Sequence, residues 1–239
     1  MALAFRQTAL GNGTTSPVVT AAFGSSVVAG NLIVVTVVDD AGIAEPSMTV
    51  TDTGGNTYTR RADTGAANSG THTAWDAKVV TGGASFTVTV TNPGGAFARL
   101  TIVAQELNGF TGTPTFDKVS AYAAATSTAA LSATSGTLTS ANEIVVGSFA
   151  HYSTISAFTL GTGYTNLGTN NVANAASAQE SKVVAATTAV TAAATIAASR
   201  EWTAYVITYR DVASSPAGNE VLQPISQPTN HYRPTYMSC

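Results

Sequence analysis

The chain has 239 residues, of which 44% are hydrophobic and only 10% are charged, and its formal net charge is -3 at pH 7. This many apolar residues can bury a sizeable core, so the composition excludes a chain that is disordered throughout. The ten Lys and Arg residues are scattered singly, apart from Arg60 and Arg61, and do not form the basic stripe of a nucleic-acid-binding protein.

The N-terminal residues 1–7 have neither a basic region nor a continuous apolar run, so we expect no signal peptide and a protein made in the cytoplasm. The longest apolar run, residues 32–38, is interrupted by Thr36 and is too short to span a bilayer, so no membrane partner is expected. Cys239 is the single cysteine, which excludes an intramolecular disulfide and a cysteine-based zinc site.

Alternating β-branched and aromatic residues, separated by Gly, Asn, Asp and Pro, predict strands along most of the chain. The predicted strands are residues 17–23, 31–38, 48–52, 71–80, 85–91, 97–106, 143–150, 176–184, 189–197 and 201–210. No segment has the apolar stripe of an amphipathic helix. The sequence therefore predicts an all-β, antiparallel sandwich of the jelly-roll-like type.

An internal repeat organises the first 212 residues. Residues 29–35 match 140–146, residues 75–80 match 179–184, and residues 97–103 match 202–208, in the same order. The repeat predicts a duplicated β-sandwich over residues 1–212, with units at about 5–110 and 117–212. It also favours strand over helix for the alanine-rich residues 173–199, because their counterpart contains the alternating residues 85–90.

The character of the chain changes after residue 212. Residues 213–218 form a linker of small residues, and residues 219–239 carry Pro224, Pro228 and Pro234 without a glycine, which favours extended backbone. An extended arm of about 21 residues reaches on the order of 70 Å at ~3.3 Å each. We expect it to dock on a neighbouring subunit; the alternative is a frayed terminus. The arm residues expected at the subunit interface are Val221, Leu222, Ile225, Tyr232, Tyr236, Met237 and Cys239.

Two interpretations of the terminal thiol remain open. Cys239 is either an exposed thiol without a role or a residue that joins a neighbouring chain by an intermolecular disulfide in an oxidising medium.

Residue patterns of known catalytic sites are missing from the sequence. The three histidines, His72, His151 and His231, fall in no metal-binding pattern, and neither a nucleophile elbow nor a phosphate loop occurs. No catalytic residue, cofactor or metal site is therefore predicted, and we expect the chain not to be an enzyme. His72 is expected to be a surface or partly buried histidine of a sheet.

Weaker chemical interpretations concern the carboxylates. Asp39 and Asp40, with Glu45 or Asp52, could hold a calcium ion, although the ligand alternation of an EF-hand is absent. Two carboxylates that face each other across a groove could serve a glycoside hydrolase. Asp76 and Glu180, which match in the repeat, are expected on a recurring outward face or in cross-strand pairs.

The aromatic residues divide into two groups. Most alternate with apolar residues in predicted strands and are expected in the core or as cross-strand partners: Trp75, Phe86, Phe97, Trp202, Tyr205 and Tyr209. A sugar-binding platform would use exposed aromatics near loops, for which the candidates are Tyr58, Tyr122, Tyr152 and Tyr164.

The pattern of residues 29–35, then 50–58, then 75–78 and the strand that starts at Phe97 resembles β-sandwich domains of tailed-bacteriophage virion proteins, of the decoration and surface type, and of some bacterial surface proteins. Residues 141–146 and 202–205 fit the same pattern in the second half. The resemblance covers residues 5–212 and consists of structural motifs, so it brings no catalytic residues to carry over.

The resemblance implies a non-enzymatic structural protein of a phage virion, assembled in the host cytoplasm. The expected role is that of a capsid decoration or cement protein, with the major capsid protein and neighbouring copies of the chain as partners. A symmetric homo-oligomer is expected, and a trimer is one such arrangement. The alternative is a carbohydrate-binding recognition module of a phage tail, collar or fibre protein, with a glycan as its ligand.

Overall fold

The computed structural model of the chain describes residues 2–40, 48–64, 70–153 and 156–212, without the side chains of residues 126–128. The described residues form fifteen strands, with no helix among them. In chain order, β1 to β15 are Ala4–Ser16, Val18–Ala22, Leu32–Asp39, Thr49–Asp52, Thr59–Asp63, Thr71–Lys78, Thr87–Thr91, Phe97–Asn108, Thr113–Val119, Ala123–Thr134, Glu143–Tyr152, Phe158–Leu160, Thr165–Val172, Ala175–Val184 and Thr191–Val212.

The first half of the chain forms two antiparallel sheets. The larger sheet has the strand order β1-β8-β3-β6-β5 and the smaller sheet has the order β2-β7-β4. Orders of 1-8-3-6 and 2-7-4 are those of a jelly roll, except that β5 pairs with β6 of the larger sheet. The predicted all-β, antiparallel sandwich is confirmed.

The second half has a five-stranded path in the order β10-β15-β11-β14-β13, and β9 and β12 also pair with β15. The long strand β15 belongs to two layers. Its first residues pair with β10 and β12, and its later residues pair with β11 and β9. If β15 is counted once in each layer, the order β9-β15-β11-β14-β13 corresponds to β1-β8-β3-β6-β5, and the order β10-β15-β12 corresponds to β2-β7-β4.

The molecule is a stack of four β layers. One core lies between the two sheets of the first half, where Ile33 and Val35 pack with Val88 and Val90. A second core fills the corresponding space in the second half, between β11 and the start of β15. The third core lies where the sheet β1-β8-β3-β6-β5 of the first half meets the layer of β11, β14 and the later part of β15; we call this interface the seam.

The central strands of both inner sheets are therefore covered on both faces. Every residue of β3 and of β11 is buried. This double burial explains why residues 32–38 are apolar without strict alternation, since neither face of the strand meets water.

The residues matched by the internal repeat lie on opposite faces of their strands. Ile33 packs in the core of the first half, whereas its match Ile144 packs in the seam. Val34 and its match Val145 show the reverse, because Val34 faces the seam and Val145 faces the core of the second half. The two halves have a similar strand order, but the residues matched by the repeat do not occupy equivalent positions. The duplication therefore stays a prediction.

Candidate functional site

The seam contains a network of buried hydrogen bonds around His72. Its Nε2 lies 2.8 Å from the hydroxyl of Ser148, and its Nδ1 lies 2.9 Å from the hydroxyl of Thr203. The Ser148 hydroxyl also lies 2.8 Å from that of Thr36, which accepts a hydrogen bond from the Gln179 amide. The network joins β3 and β6 of the first half to β11, β14 and β15 of the second.

The His72 network is buried away from solvent. His72, Ser148 and Thr203 are each 0% exposed, and burial lowers the pKa of His72 to about 3, so its imidazole is neutral near pH 7. A histidine beside a serine is the geometry of an activated nucleophile, but these side chains have no contact with solvent from which a substrate could arrive. The prediction of a surface or partly buried His72 is wrong, because both faces of β6 are covered.

The other two histidines are placed differently. The Nε2 of His151 lies 2.7 Å from the carbonyl oxygen of Ser156, and the His151 side chain is buried. Burial is also the main reason why the pKa of His151 is lowered. His231 lies outside the described residues.

Asp52, a candidate calcium ligand, instead holds the turn that follows β4. Its Oδ1 accepts hydrogen bonds from the backbone N–H groups of Gly54 (2.9 Å) and Asn56 (3.1 Å). Its Oδ2 accepts from the Asn56 side-chain amide (2.9 Å) and from the Tyr58 hydroxyl (3.0 Å). The carboxylate is thereby committed to fixing the loop that leads into β5.

The remaining calcium candidates do not join Asp52. Asp39 is buried at the end of β3, and the Asp40 carboxylate is paired with the guanidinium of Arg99. Glu45 lies outside the described residues. Within the described ranges there is no group of three or more His, Cys, Asp or Glu side chains that could hold a metal ion.

Asp76 and Glu180 are buried, so the expected outward face is wrong for both, whereas the alternative of a cross-strand pair is found for Asp76, whose partner lies on the neighbouring strand β5. Asp76 pairs with Arg61 at 2.7 Å, and the Arg61 guanidinium lies 4.4 Å from the ring centroid of Phe116. Glu180 accepts hydrogen bonds from the backbone N–H groups of Gly161 (2.8 Å) and Ala193 (3.2 Å), and burial raises its pKa. Each carboxylate ties adjoining elements together, and their burial was missed because the sequence does not show that both strands are covered on both faces.

The four tyrosines proposed for a sugar-binding platform are not equivalent. Tyr152 is buried in the seam, and Tyr58 packs against the core of the first half. Tyr164 donates a hydrogen bond from its hydroxyl to the Thr191 carbonyl, at 2.8 Å, and is partly buried. Tyr122 is 47% exposed, so of these four it is the residue that presents an open aromatic surface.

The aromatics expected in the core are found there. Five of them are at most 6% exposed, and Trp75 is partly buried against the core of the first half. The five are Phe86, Phe97, Trp202, Tyr205 and Tyr209.

The outermost layer on each side of the stack presents small, uncharged side chains. On the first outer face, the register places Thr20, Thr89 and Thr51 side by side on three neighbouring strands. The first outer face consists of Val18, Thr20, Ala22, Thr49, Thr51, Thr87, Thr89 and Thr91. The second outer face consists of Ala130, Ser132, Thr134, Thr159, Thr191, Ala193 and Thr195.

Such faces suit contact with another protein surface. Burying Thr, Ser, Ala and Val does not require the removal of water from a charge, which is the large cost at charged interfaces. The alternation of residues 49–51 and 87–91, with Thr outward and Val inward, is the sequence signal from which the first outer face could have been found.

A pocket of about 320 Å³ lies where β15 ends. We call it the end pocket; its lining residues are Ala2, Leu3, Gly109, Thr111, Asn142, Val183 and Asp211. Val183 is 45% exposed, and Val212, the residue after Asp211, is 38% exposed.

Hydrogen bonds fix Asp211 at the wall of the end pocket. Its carboxylate accepts from the backbone N–H and the hydroxyl of Thr111, at 2.7 and 2.5 Å, and from the backbone N–H of Gly112 at 2.8 Å. Burial acts to raise the pKa of Asp211, but these hydrogen bonds outweigh it and the pKa is lowered. The carboxylate is therefore ionised near neutral pH, and its hydrogen bonds hold it against the loop of Thr111 and Gly112.

The predicted arm interface lies outside the described residues. This holds for Val221, Leu222, Ile225, Tyr232, Tyr236, Met237 and Cys239 alike, so the arm and its contacts stay predictions.

Fold and surfaces together define an all-β protein of two packed sandwiches with an uncharged face on each side. No helix long and apolar enough to cross a membrane is found in the part of the chain that the structure describes. No family model, no curated protein and no solved structure matches the chain.

Proposed function

We propose that this chain is a non-enzymatic structural protein of a bacteriophage virion, and in particular a capsid decoration or cement protein. The observation that carries the proposal is the pair of uncharged outer faces on the two sides of the four-layer stack. The resemblance of residues 5–212 to β-sandwich domains of phage virion proteins supports it as well.

A cement protein needs at least two contact surfaces, because it must join one subunit of a shell to another component. In the proposed role one outer face contacts the shell, and the opposite face or the arm contacts a neighbouring copy. Apolar surface buried in such contacts contributes about 25 cal/mol per Å² before the costs of association are subtracted. The arm adds apolar area in the same way.

Co-sedimentation with empty capsids of the phage that encodes the chain tests this proposal. Thr51 and Thr195 are exposed residues on the first and second outer faces, and Thr169 is an exposed threonine of the inner strand β13. We expect Thr51→Glu or Thr195→Glu to weaken capsid binding about tenfold or more, since a buried charge must lose its water. Thr169→Glu is the matched control and should bind like the unmodified chain.

A truncation after Gly218 is the second variant in this experiment. If only the full-length chain sediments with capsids, the arm is the docking device. If the unmodified chain does not sediment with capsids, the decoration role is rejected. It is also rejected if Thr51→Glu and Thr195→Glu both bind like the control Thr169→Glu.

The second candidate function is a carbohydrate-binding module of a phage tail, collar or fibre protein. It is favoured by the exposed ring of Tyr122, since exposed aromatic rings stack on sugars. A glycan array tests it directly. Specific binding that is lost in Tyr122→Ala would move this function ahead of the decoration role, and an array without signal would remove it.

A further inference from the structure

The end pocket lies beside the point at which the chain leaves the described fold. Asp211 lines the pocket, and β15 ends one residue later at Val212. Residues 213–239 continue from this rim and include the apolar residues of the arm.

An exposed valine contributes apolar surface to the end pocket. Val183 stands in the wall of the pocket and keeps a large part of its surface in contact with solvent. Leu3 and Ala2 line the same space. An apolar surface that is open in the folded chain favours an apolar occupant, because burial removes it from water.

The pocket is of the right kind for a short peptide segment. Its volume of about 320 Å³ is at the lower end of the range for binding clefts, which matches one or two side chains better than a whole ligand. Thr111, Asn142 and Asp211 add polar groups beside the apolar wall, and a bound backbone needs such hydrogen-bonding partners.

We propose that the end pocket is the receptor for residues 221–225 of a neighbouring copy of this chain. This inference rests on the proposed role of the arm and names the surface that receives it. Val221, Leu222 and Ile225 supply the apolar side chains.

Chain length and composition favour a neighbouring copy over the same chain. Residues 213–220 span at most about 30 Å when extended, which is about the diameter of a small domain and carries residues 221–225 well away from the end of β15. Pro216 and Pro224 favour extended backbone for the residue that precedes each of them.

Photo-crosslinking in the full-length chain tests the inference without capsids. The photoreactive residue p-benzoylphenylalanine replaces Gln223, which leaves the apolar residues of the segment intact. Equal amounts of isotopically heavy and light chains are mixed and irradiated, and crosslinked peptides are identified by mass spectrometry. We expect crosslinks between heavy and light chains at residues 2–3, 109–111 and 183.

Variants of the pocket wall separate specific docking from random contact. Val183→Glu should reduce the heavy–light crosslinks about tenfold or more, because it places a charge against an apolar segment. Val183→Thr keeps the shape and should reduce them less. Val80→Glu is the control, since Val80 is 75% exposed and does not line the pocket.

Each result has a defined meaning. Heavy–light crosslinks at the pocket that are lost in Val183→Glu and kept in Val80→Glu support the inference. Crosslinks only within one chain, crosslinks elsewhere, no crosslinks, or insensitivity to Val183→Glu overturn it. If the pocket crosslinks form but the chain does not sediment with capsids in the separate binding experiment, the decoration role fails and the docking site stands.

Discussion

The imidazole of His72 lies between the two halves of the molecule, with a hydroxyl group at each ring nitrogen. A neutral histidine can donate at one nitrogen and accept at the other, and the hydroxyls of Ser148 and Thr203 can rotate to suit either tautomer. The backbone carbonyl of His72 accepts a further hydrogen bond from the Tyr205 hydroxyl at 2.5 Å. The site thus satisfies the neutral imidazole, and its burial disfavours the protonated form.

Acid should therefore destabilise the fold through His72. Its folded-state pKa of about 3 lies below the unfolded value of 6.5, so between these pH values the unfolded state binds a proton that the folded state does not. The contribution of His72 to the free energy of unfolding is therefore fully present above the unfolded pKa and is lost as the pH falls towards the folded pKa. From pH 7 to pH 5 the loss is about 2 kcal/mol.

Urea unfolding at pH 7 and pH 5 measures this loss. In His72→Gln the contribution of this group disappears, so the remaining change reflects other groups such as His151, whose pKa is also lowered. An equal pH dependence in the variant and in the unmodified chain would show that His72 is not the titrating group.

Ala173 occupies a backbone conformation that favours glycine. It lies in the two-residue turn between β13 and β14, with φ at 46°, where the Cβ atom of an L-residue is strained. We expect Ala173→Gly to raise the free energy of unfolding by about 0.5–1 kcal/mol. Ala193→Gly, at an exposed strand position of β15, should lower it by a similar amount. Urea titration of both variants checks the opposite signs.

At the scale of elements, the turn after β4 depends on one carboxylate. Asp52 accepts four hydrogen bonds, and Asn56 extends the connection by accepting from the backbone N–H groups of Val80 and Thr81 at 2.7 and 3.1 Å. The two side chains together fasten the β4–β5 loop to the end of β6.

Removal of the Asp52 carboxylate should take away the acceptor of the four hydrogen bonds from Gly54, Asn56 and Tyr58. We expect Asp52→Ala to lower the free energy of unfolding by about 2–4 kcal/mol, measured by urea denaturation. Asp52→Asn keeps one acceptor oxygen and should lose less. If the two variants are equally stable, the hydrogen bonds do not hold the turn.

The apolar strands could be predicted from the sequence. The strands that were missed contain glycines that allow another backbone to approach closely, or have a weakly apolar or polar composition. All ten predicted strands are present, including the alanine-rich residues, and 189–197 and 201–210 prove to be parts of the single strand β15. In β1, Gly11 and Gly13 read as turn residues. A Cβ atom on Gly11 would lie 2.1 Å from the Thr20 carbonyl oxygen, so glycine is needed there for close approach within a strand.

Other strands escaped prediction because their composition is weak or polar. The residues of β10 are Ala, Thr and Ser around a single leucine, and β13 is rich in Asn and Thr. Pairing with β15 and β14 respectively supplies what local propensity lacks.

At the scale of the whole molecule, the seam makes the two halves one cooperative unit. Asn170 of β13 donates hydrogen bonds to the backbone carbonyls of Gly11 and Ile102, at 2.6 and 3.0 Å, across the boundary between the halves. Together with the apolar third core, such contacts predict a single unfolding transition. The network and the end pocket join residues far apart in the chain, which is why sequence patterns did not reveal them.

Gly70 lies where the first half of the chain packs closely against Tyr152 of the second half. A Cβ atom there would lie 2.0 Å from Cε1 of Tyr152 and 2.7 Å from the Asp39 carbonyl oxygen. Gly70→Ala should lower the free energy of unfolding by about 1–3 kcal/mol through overpacking. Gly24→Ala meets no atom within 4 Å and should be neutral or slightly stabilising. Calorimetry of both variants gives the comparison, and equal melting temperatures would contradict the tight fit.

The end pocket has a further consequence for engineering. Because Ala2, Leu3 and Asp211 line one small space, the beginning of β1 and the end of β15 lie side by side. A short peptide could join them, and new ends could then be opened at the loop around Gly24, where there is free space. The same geometry means that cargo fused before residue 2 or after residue 212 would emerge from one point of the surface.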